Sequence, residues 1–440
     1  MQNRRSIAVL LFILILDLMG FTLIFPLVPD LLSYYVHTTN LHSMDSYLPK
    51  LIEWLLLMAP AIGSGEEREI IILGGVLGSS YALLQFLFAP FWGRLSDRIG
   101  RRPVLLITSI GLGVAYLFWA FSTSFTFFLM SRILAGIMAG NLGIATAAMA
   151  DTSSQEGRTK SMGLVGAAFG VGFIIGPAIG GALSTIDLSS LGNLSIPHHP
   201  FSAAAFVSVS LSVLSAILNY FFLIETLPKE KRSQDTLRFQ MPFKVFTELK
   251  EVQFRRMLVL NFGFMFLFTA FEFTVTFFYK IDFDLSPSKI GLVFLYLGVL
   301  LAFGQGFLVR RLSKSMSEMS MIIIGFISLA IGLSFLAFSA PTVSFSLMAL
   351  APVALGSSLL QPSMAGLASR SISAEKQGLA MSSFRSMGSL ARGVGPIFGS
   401  YIYGTMGIKI TYISIAVLIV LLFGFAYLFS KLKPISVEVL

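Results

Sequence analysis

The sequence contains no cysteine, which excludes disulfides, thiol nucleophiles and zinc–thiolate sites. Charge is almost as scarce. Only 12% of the 440 residues are Asp, Glu, Lys or Arg, about half the roughly 25% of an ordinary soluble domain. Histidine is reduced to four residues, His37, His42, His198 and His199, all in segments between apolar runs and without metal-ligand spacing. No phosphate loop of the GxxxxGK[ST] type is present, so ATP is not the expected energy source. No nucleophile–base or metal constellation is present either, so neither an enzyme nor a cofactor is expected. What is abundant is apolar: 55% of residues are hydrophobic and the mean hydropathy is +0.83. So few charges cannot cover a water-facing surface of this size, and lipid is the expected solvent. The net charge of +9 could suggest nucleic acid. Its placement in short segments between apolar runs excludes that partner.

A membrane-spanning helix needs roughly 20 apolar residues. Twelve such runs are present, at about 6–32, 70–93, 103–121, 124–149, 159–184, 201–224, 254–279, 287–310, 317–338, 344–369, 377–403 and 409–430. The first follows Arg4 and Arg5, as in a signal peptide. It is too long for one, has no small-residue cleavage site and contains Asp17. It reads as a retained helix. With the N-terminus in the cytoplasm, inside segments hold Arg94, Arg98, Arg101, Arg102, Arg158, Lys160, the basic residues of 225–256, Arg310, Arg311, Lys314, Arg370, Lys376, Lys431 and Lys433. Outside segments keep only Lys50, Arg68, Lys280, Lys289 and Lys409. The positive-inside rule therefore places both termini inside. The expected fold is an all-α integral membrane protein in the cell membrane, with twelve transmembrane helices in two pseudo-symmetric six-helix bundles. The bundles are residues 1–224 and 254–440. An external insert, 33–69, carries a short apolar stretch, "YLPKLIEWLLLMAP", that lies on the membrane or over the outer mouth, either as a packing helix or with a part in transport. Residues 225–253 form a charged cytoplasmic linker.

The two bundles repeat each other. "EGRTKSMGLVGAAFGVGFIIGPAIGG" begins at Glu156 and "EKQGLAMSSFRSMGSLARGVGPIFGS" at Glu375, with Gly176-Pro177 and Gly395-Pro396 at the same offset. Internal repeats of this kind accompany alternating access.

Two motifs carry mechanism. After the second run stands "GRLSDRIGRRP", in which Gly93 and Gly100 permit a tight turn and Arg98, Arg101 and Arg102 face the cytoplasm. Asp97 can accept from amide groups at a nearby helix start, where the dipole favours an anion. The string resembles the loop motif of the major facilitator superfamily. That resemblance implies that Asp97 braces the start of the eleventh run and holds the cytoplasmic side shut; the alternative is a simple topogenic basic loop. The fifth run carries "GVGFIIGPAIGG", with Gly172, Gly176, Pro177 and Gly180. Small residues let helices approach closely, and Pro177 removes a backbone donor. The run is similar to the motif that marks antiporters in that superfamily, and ordinary close packing is the alternative.

Five ionisable residues lie deep inside runs, away from their ends, where charge costs at least a few kcal/mol and defaults to a functional hypothesis: Asp17, Arg132, Glu272, Arg385 and Arg392. Asp17 is about eleven residues into the first run, roughly 16 Å deep by helical rise. Burial and a nearby arginine push a carboxyl in opposite directions, so such a site can load and release protons. Asp17 is the expected proton carrier, tuned by Arg132, the one cation buried in the same half; a static ion pair is the alternative. Glu272 and Arg392 sit at similar depth, roughly 22 Å by helical rise, and are expected to pair, with Glu272 as a second acidic site. Arg385 is then left to meet an anionic substrate through its planar fork. A closed structural network of the three is the alternative. Gln85, Asn141, Gln305 and Gln361 are further candidates for the cavity wall or for helix–helix hydrogen bonds.

The run "LDLMGFTLIFPLVPDLL", with "SRILAGIMAGNLGIATAAMAD" and the two motifs above, resembles the tetracycline/proton antiporters. "FLFTAFEFTVTFF" and "SFRSMGSLARGVGP" are similar to the tetracycline transporter-like branch, thought to export organic anions. Tetracycline antiporters have a histidine where Leu301 stands and an aspartate near Leu329, so the relay implied by the resemblance is incomplete here. The expected function is proton-coupled efflux of an amphiphilic small molecule, more anionic than cationic, by a monomer working by alternating access. A facilitator or importer of a metabolite or lysolipid on the same fold, and a non-transporting receptor, are the rivals.

Overall fold

The computed structural model describes residues 2–38, 50, 54, 65–152, 158–188, 199–233, 249, 251–338, 342–372 and 377–431. Every regular element among them is a helix, and eleven described segments are long and apolar enough to cross a membrane. The starts of both repeat strings, the stretch 47–60 apart from Lys50 and Trp54, and most of the linker lie outside the described residues.

The first crossing is α1 (Gln2–Thr22) continued by α2 (Val28–Thr38). Between them Pro26, without an amide donor, opens a single 3-10 turn, Phe25–Leu27. Residues 33–38, expected in the insert, continue α2 because Tyr35 is wholly buried and its hydroxyl meets Ser122 at 2.6 Å. Then come α3 (Gly65–Ile99), α4 (Arg101–Ala120), α5 (Phe125–Met138) and α6 (Asn141–Asp151). They are followed by α7 (Arg158–Leu183) and α8 (Ser202–Phe222). The remaining elements are α9 (Val252–Ile281), α10 (Pro287–Phe303), a π-turn at Gly304–Leu308, α11 (Val309–Leu312), α12 (Glu318–Phe338), α13 (Val343–Arg370) and α14 (Gln377–Lys431). The 55 residues of α14 are broken at Gly407, whose φ of +79° is reached readily only by glycine. The two last runs of the sequence lie on either side of that break.

Helices α1–α8 share buried clusters that include Tyr35, Trp119 and Phe128, and α9–α14 share another that includes Phe264, Phe271 and Phe326. Apolar side chains also point outward. On α4, Ile107, Ile110, Val114 and Leu117 form one exposed stripe at helical spacing, as a lipid solvent demands. His199, expected in an external loop, is wholly buried. Its Nε2 donates to the Trp119 carbonyl at 2.9 Å and its Nδ1 accepts from the Phe201 amide at 3.2 Å, so it anchors the start of α8.

The bundle has two ends, here called the linker end (Ile99–Arg101, Asp151, residues 225–233) and the insert end (Gly65, Ser184, Lys280–Asp284). Helix α7 shows how the two groups of helices meet. Gly172, Gly176 and Gly180 face α1: a Cβ added at Gly172 would lie 2.5 Å from Leu18 Cβ, and one at Gly180 would enter the Leu23 carbonyl. A second stripe, at positions 163, 166, 170, 174, 177 and 181, faces α10. Its insert-end part is tight, since a Cβ added at Gly181 would lie 2.5 Å from the Pro287 carbonyl and one at Gly291 2.8 Å from that of Pro177. Its linker-end part, Gly163, Gly166 and Gly170, has nothing within 4 Å of an added Cβ. Helices α3 and α14 also touch closely, through Gly75 against Ser400 and Gly393 against Leu83. The two groups are thus pressed together at the insert end and stand apart along the linker-end part of α7.

Candidate substrate and proton site

A cavity of about 150 Å³ lies between the two groups. That is room for a charged head group or a few waters rather than for a whole drug-sized molecule. Its walls are aromatic, with Phe21, Phe25, Phe169, Phe173, Phe273 and Phe277, and four charged side chains enter it: Asp17, Arg132, Glu272 and Arg392. Gln85 and Asn141 line it too. Arg385, Gln305 and Gln361 do not. Arg385 is seven residues from Arg392, roughly 10 Å along the helix, and is exposed by comparison, as are Gln305 and Gln361.

The break between α5 and α6 sets the geometry around Asp17. Residues Ala139 and Gly140 leave the helix, and the carbonyls freed there are satisfied from α3. Gln85 donates to Ala139 at 3.3 Å and Trp92 to Ile137 at 2.5 Å. Such interruptions survive in a membrane only where neighbours re-satisfy the backbone. The break puts Asn141 at the start of α6, facing α1. Its Nδ2 donates to Asp17 Oδ2 at 2.6 Å and to Ser109 Oγ at 3.2 Å, while its Oδ1 accepts from Thr108. Ser215 continues the polar chain, its hydroxyl 3.3 Å from that of Ser109. Asp17 Oδ1 is buried and has no hydrogen-bond partner.

Neither expected ion pair is present. Among the described residues no carboxylate comes within 4 Å of Arg132 or of Arg392. Arg392 remains the charge that acts on Glu272, from longer range, and donates to Ser389 on its own helix at 3.3 Å. Arg132 lies over the ring of Tyr81, 5.0 Å from its centroid. Tyr81, a residue that sequence reasoning passed over, is stacked on Phe21 at 4.6 Å and lines the cavity.

At the linker end, Asp97 pairs with Arg101 at 2.6 Å, and its carbonyl accepts from the Ser233 amide at 3.0 Å. The brace to the eleventh run is not made among the described residues, in keeping with the parted linker-end glycines. Arg101 is buried, donating to Asp151 at 3.0 Å and to Ser96 at 2.7 Å. Arg102 reaches the Tyr220 carbonyl at 2.5 Å, Arg98 is exposed, and Gly93 has open space beside it. The anion at the start of α4 is Glu225 rather than Asp97. Its carboxylate accepts from the amides of Arg101 (2.9 Å), Arg102 (3.3 Å) and Leu227 (3.0 Å). Gly100, at φ +111°, makes room for it. The first linker residues are thereby clamped to the loop.

At the insert end an ion pair crosses between the two groups of helices: Lys280 of α9 meets Asp30 of α2 at 2.7 Å, with Asp284 at 3.8 Å. Beside it Tyr403 donates to Asp282 at 2.8 Å. Burial raises the Asp282 carboxyl above its usual range, and the tyrosine bond works the other way.

Two helical groups around an apolar, charge-bearing cavity, closed at one end only, form a transport pathway rather than a catalytic pocket. A family model described as Major Facilitator Superfamily matches residues 10–393 and 320–438, and the chain belongs to that superfamily. Major facilitator superfamily domain-containing protein 10 of Mus musculus is 31% identical over 436 residues, covering 93% of this chain and 90% of that one. Tetracycline resistance protein, class H, of Pasteurella multocida is 30% identical over 405 residues, covering 91% and 89%. Among solved structures, that of the human organic anion transporter MFSD10 (TETRAN) matches with a TM-score of 0.77 at 26% identity, covering 96% of this chain and 99% of that one. The chain is therefore a multi-pass membrane transporter for small molecules, not an enzyme.

Proposed function

We propose that this chain is a proton-coupled exporter of amphiphilic small molecules, with organic anions as its preferred class. It works by alternating access between two six-helix bundles, residues 1–224 and 254–440, joined by the linker 225–253. In this reading α14 counts as two crossings divided at Gly407, which makes twelve, and the basic linker end faces the cytoplasm. The protein then has its substrate cavity closed to the outside and parted toward the inside.

The observation that carries the reading is Asp17. Its carboxylate lies in the cavity with one oxygen bonded to Asn141 and the other buried without a partner. An ionised carboxylate costs several kcal/mol in such surroundings, and a proton on the free oxygen removes that cost. Glu272, on the opposite wall, is the second proton site. Arg392 lines the cavity and Arg385 lies toward the linker end, so Arg392 meets a bound anion and Arg385 meets one on its way in. The aromatic walls suit an apolar body. The relatives, an organic anion transporter and a tetracycline resistance protein, agree with this class.

The test is proton movement in inside-out vesicles carrying a pH dye, with a panel of organic anions, tetracyclines and lipophilic cations. Anions should move the pH signal in wild type and not in Asp17→Asn. Labelled substrate that equilibrates with no proton movement would make the protein a facilitator and end the role of Asp17.

A further inference from the structure

Arg132 is the least accounted-for charge in the cavity. It is 5% exposed, and among the described residues it has neither a hydrogen bond nor an ion pair. Its one close partner is the Tyr81 ring. A guanidinium held so deep without a counter-ion is expensive; a cation–π contact returns about 2 kcal/mol when desolvated, less than the cost of burying the charge. The arrangement is nonetheless built. Gly136 follows Arg132 by one turn of α5, and a Cβ there would lie 2.8 Å from the Tyr81 carbonyl and 3.1 Å from its Cα. The glycine lets α5 close on α3 and seats the guanidinium over the ring. Phe21 stacks on the same ring, 4.6 Å between centroids, and so packs the seat. Arg132 makes no ion pair with Asp17, whose carboxylate is bonded to Asn141 instead. It lines the cavity, and Tyr81 lies within electrostatic reach of both Arg132 and Arg392.

We propose that Arg132, seated on Tyr81, is the receptor for the anionic group of the substrate, with Arg392 facing it from the other bundle. The ligand class is a single carboxylate or sulfonate on an aromatic body. The head meets the guanidiniums, and a small body lies against the phenylalanine walls of the same chamber. A planar fork binds such a head through two parallel bonds, which an ammonium cannot do. Tyr81 is the positioning residue, acting through its ring face and not its hydroxyl. The proposal rests on the transport reading for its substrate class but is tested without transport.

The experiment is equilibrium binding to the purified full chain in nanodiscs, with no gradient, using 2-naphthoate and its uncharged amide, 2-naphthamide. The readout is the ratio of the two affinities. Wild type should favour the carboxylate at least tenfold. Arg132→Gln should bring the ratio within twofold of unity, and Arg132→Lys, which keeps the charge and the fold, should lose at least threefold. Tyr81→Leu should lower the ratio severalfold while Tyr81→Phe keeps it. A wild-type ratio near one, or an unchanged ratio in Arg132→Gln or Arg132→Lys, overturns the proposal. Because the ratio needs no proton gradient, its failure leaves proton-coupled export standing, and a failure of the vesicle assay leaves the ratio standing.

Discussion

Lys280→Met should release the insert end. The Asp30–Lys280 pair, at 2.7 Å, is an ion pair between the two groups of helices at the closed mouth, and its side chains are only 20% and 29% exposed. Exposed pairs contribute about 0.2–1 kcal/mol, whereas stranding one partner of a buried pair costs about 3–5 kcal/mol. This pair lies between, and Asp30 Oδ2 is already without a partner, so removing the ammonium should cost roughly 1–2 kcal/mol of closure. That corresponds to a five- to thirtyfold change in the equilibrium between the state seen here and one parted at the insert end. The absence of cysteine makes the assay clean. Spin labels on cysteines placed at Leu164 of α7 and Phe307 of the π-turn, both exposed toward the linker end, report that opening by double electron–electron resonance. The ratio of the long- to the short-distance population should fall by the stated factor in Lys280→Met. It should return to within about threefold of wild type when the charges are swapped as Asp30→Lys with Lys280→Asp. A ratio unchanged within twofold in Lys280→Met would refute a closing role for the pair.

Glu225→Ala should leave three amides, those of Arg101, Arg102 and Leu227, without their acceptor, at about 1–2 kcal/mol. Trypsin should then cut at Lys229 and Arg232 several times faster, and equal rates would show that the clamp does not hold the linker. Gly180→Ala should lower the thermal midpoint in detergent, because overpacking against Leu23 costs about 1–3 kcal/mol. Gly163→Ala, with open space around it, should be neutral or slightly stabilising. Equal effects at the two positions would contradict the assignment of one face of α7 to α1 and the other to the open seam.

The crossings were legible because hydrophobic length is a property of the local chain, and so were the intramembrane charges, because each is rare. Their partners were not. Asp17 and Arg132 look like a pair in the sequence because no other cation lies deep inside a run of that half. The break at Ala139–Gly140 turns Asn141 toward Asp17, and Gly136 turns Arg132 toward Tyr81. Neither turn shows in a hydropathy pattern. Arg385 and Arg392 share a helix face, as their spacing of seven requires, but the cavity reaches only the second. Asp97 was read as the anion at a helix start. Here Asp97 pairs with Arg101, while the start of α4 is held by Glu225, more than a hundred positions along the chain. Nothing local in the sequence marks Lys280 as the partner of Asp30, because their meeting depends on how α9 and α2 come together in space.

The four charges of the cavity also balance as a circuit element. With both carboxylates ionised and both guanidiniums charged, the empty chamber is neutral. A monovalent anion leaves it one charge short, and a proton on Asp17 or Glu272 restores the balance. The loaded carrier that can cross the low-dielectric midplane without penalty therefore holds anion and proton together. Such a cargo carries no net charge, so it escapes the roughly 2.3 kcal/mol that 100 mV exerts on each elementary charge. Movement of the two together would run inward with the proton gradient, whereas export of the anion in exchange for a proton moves two charges per cycle, so the sign of the vesicle pH signal and its response to imposed voltage tell export from import.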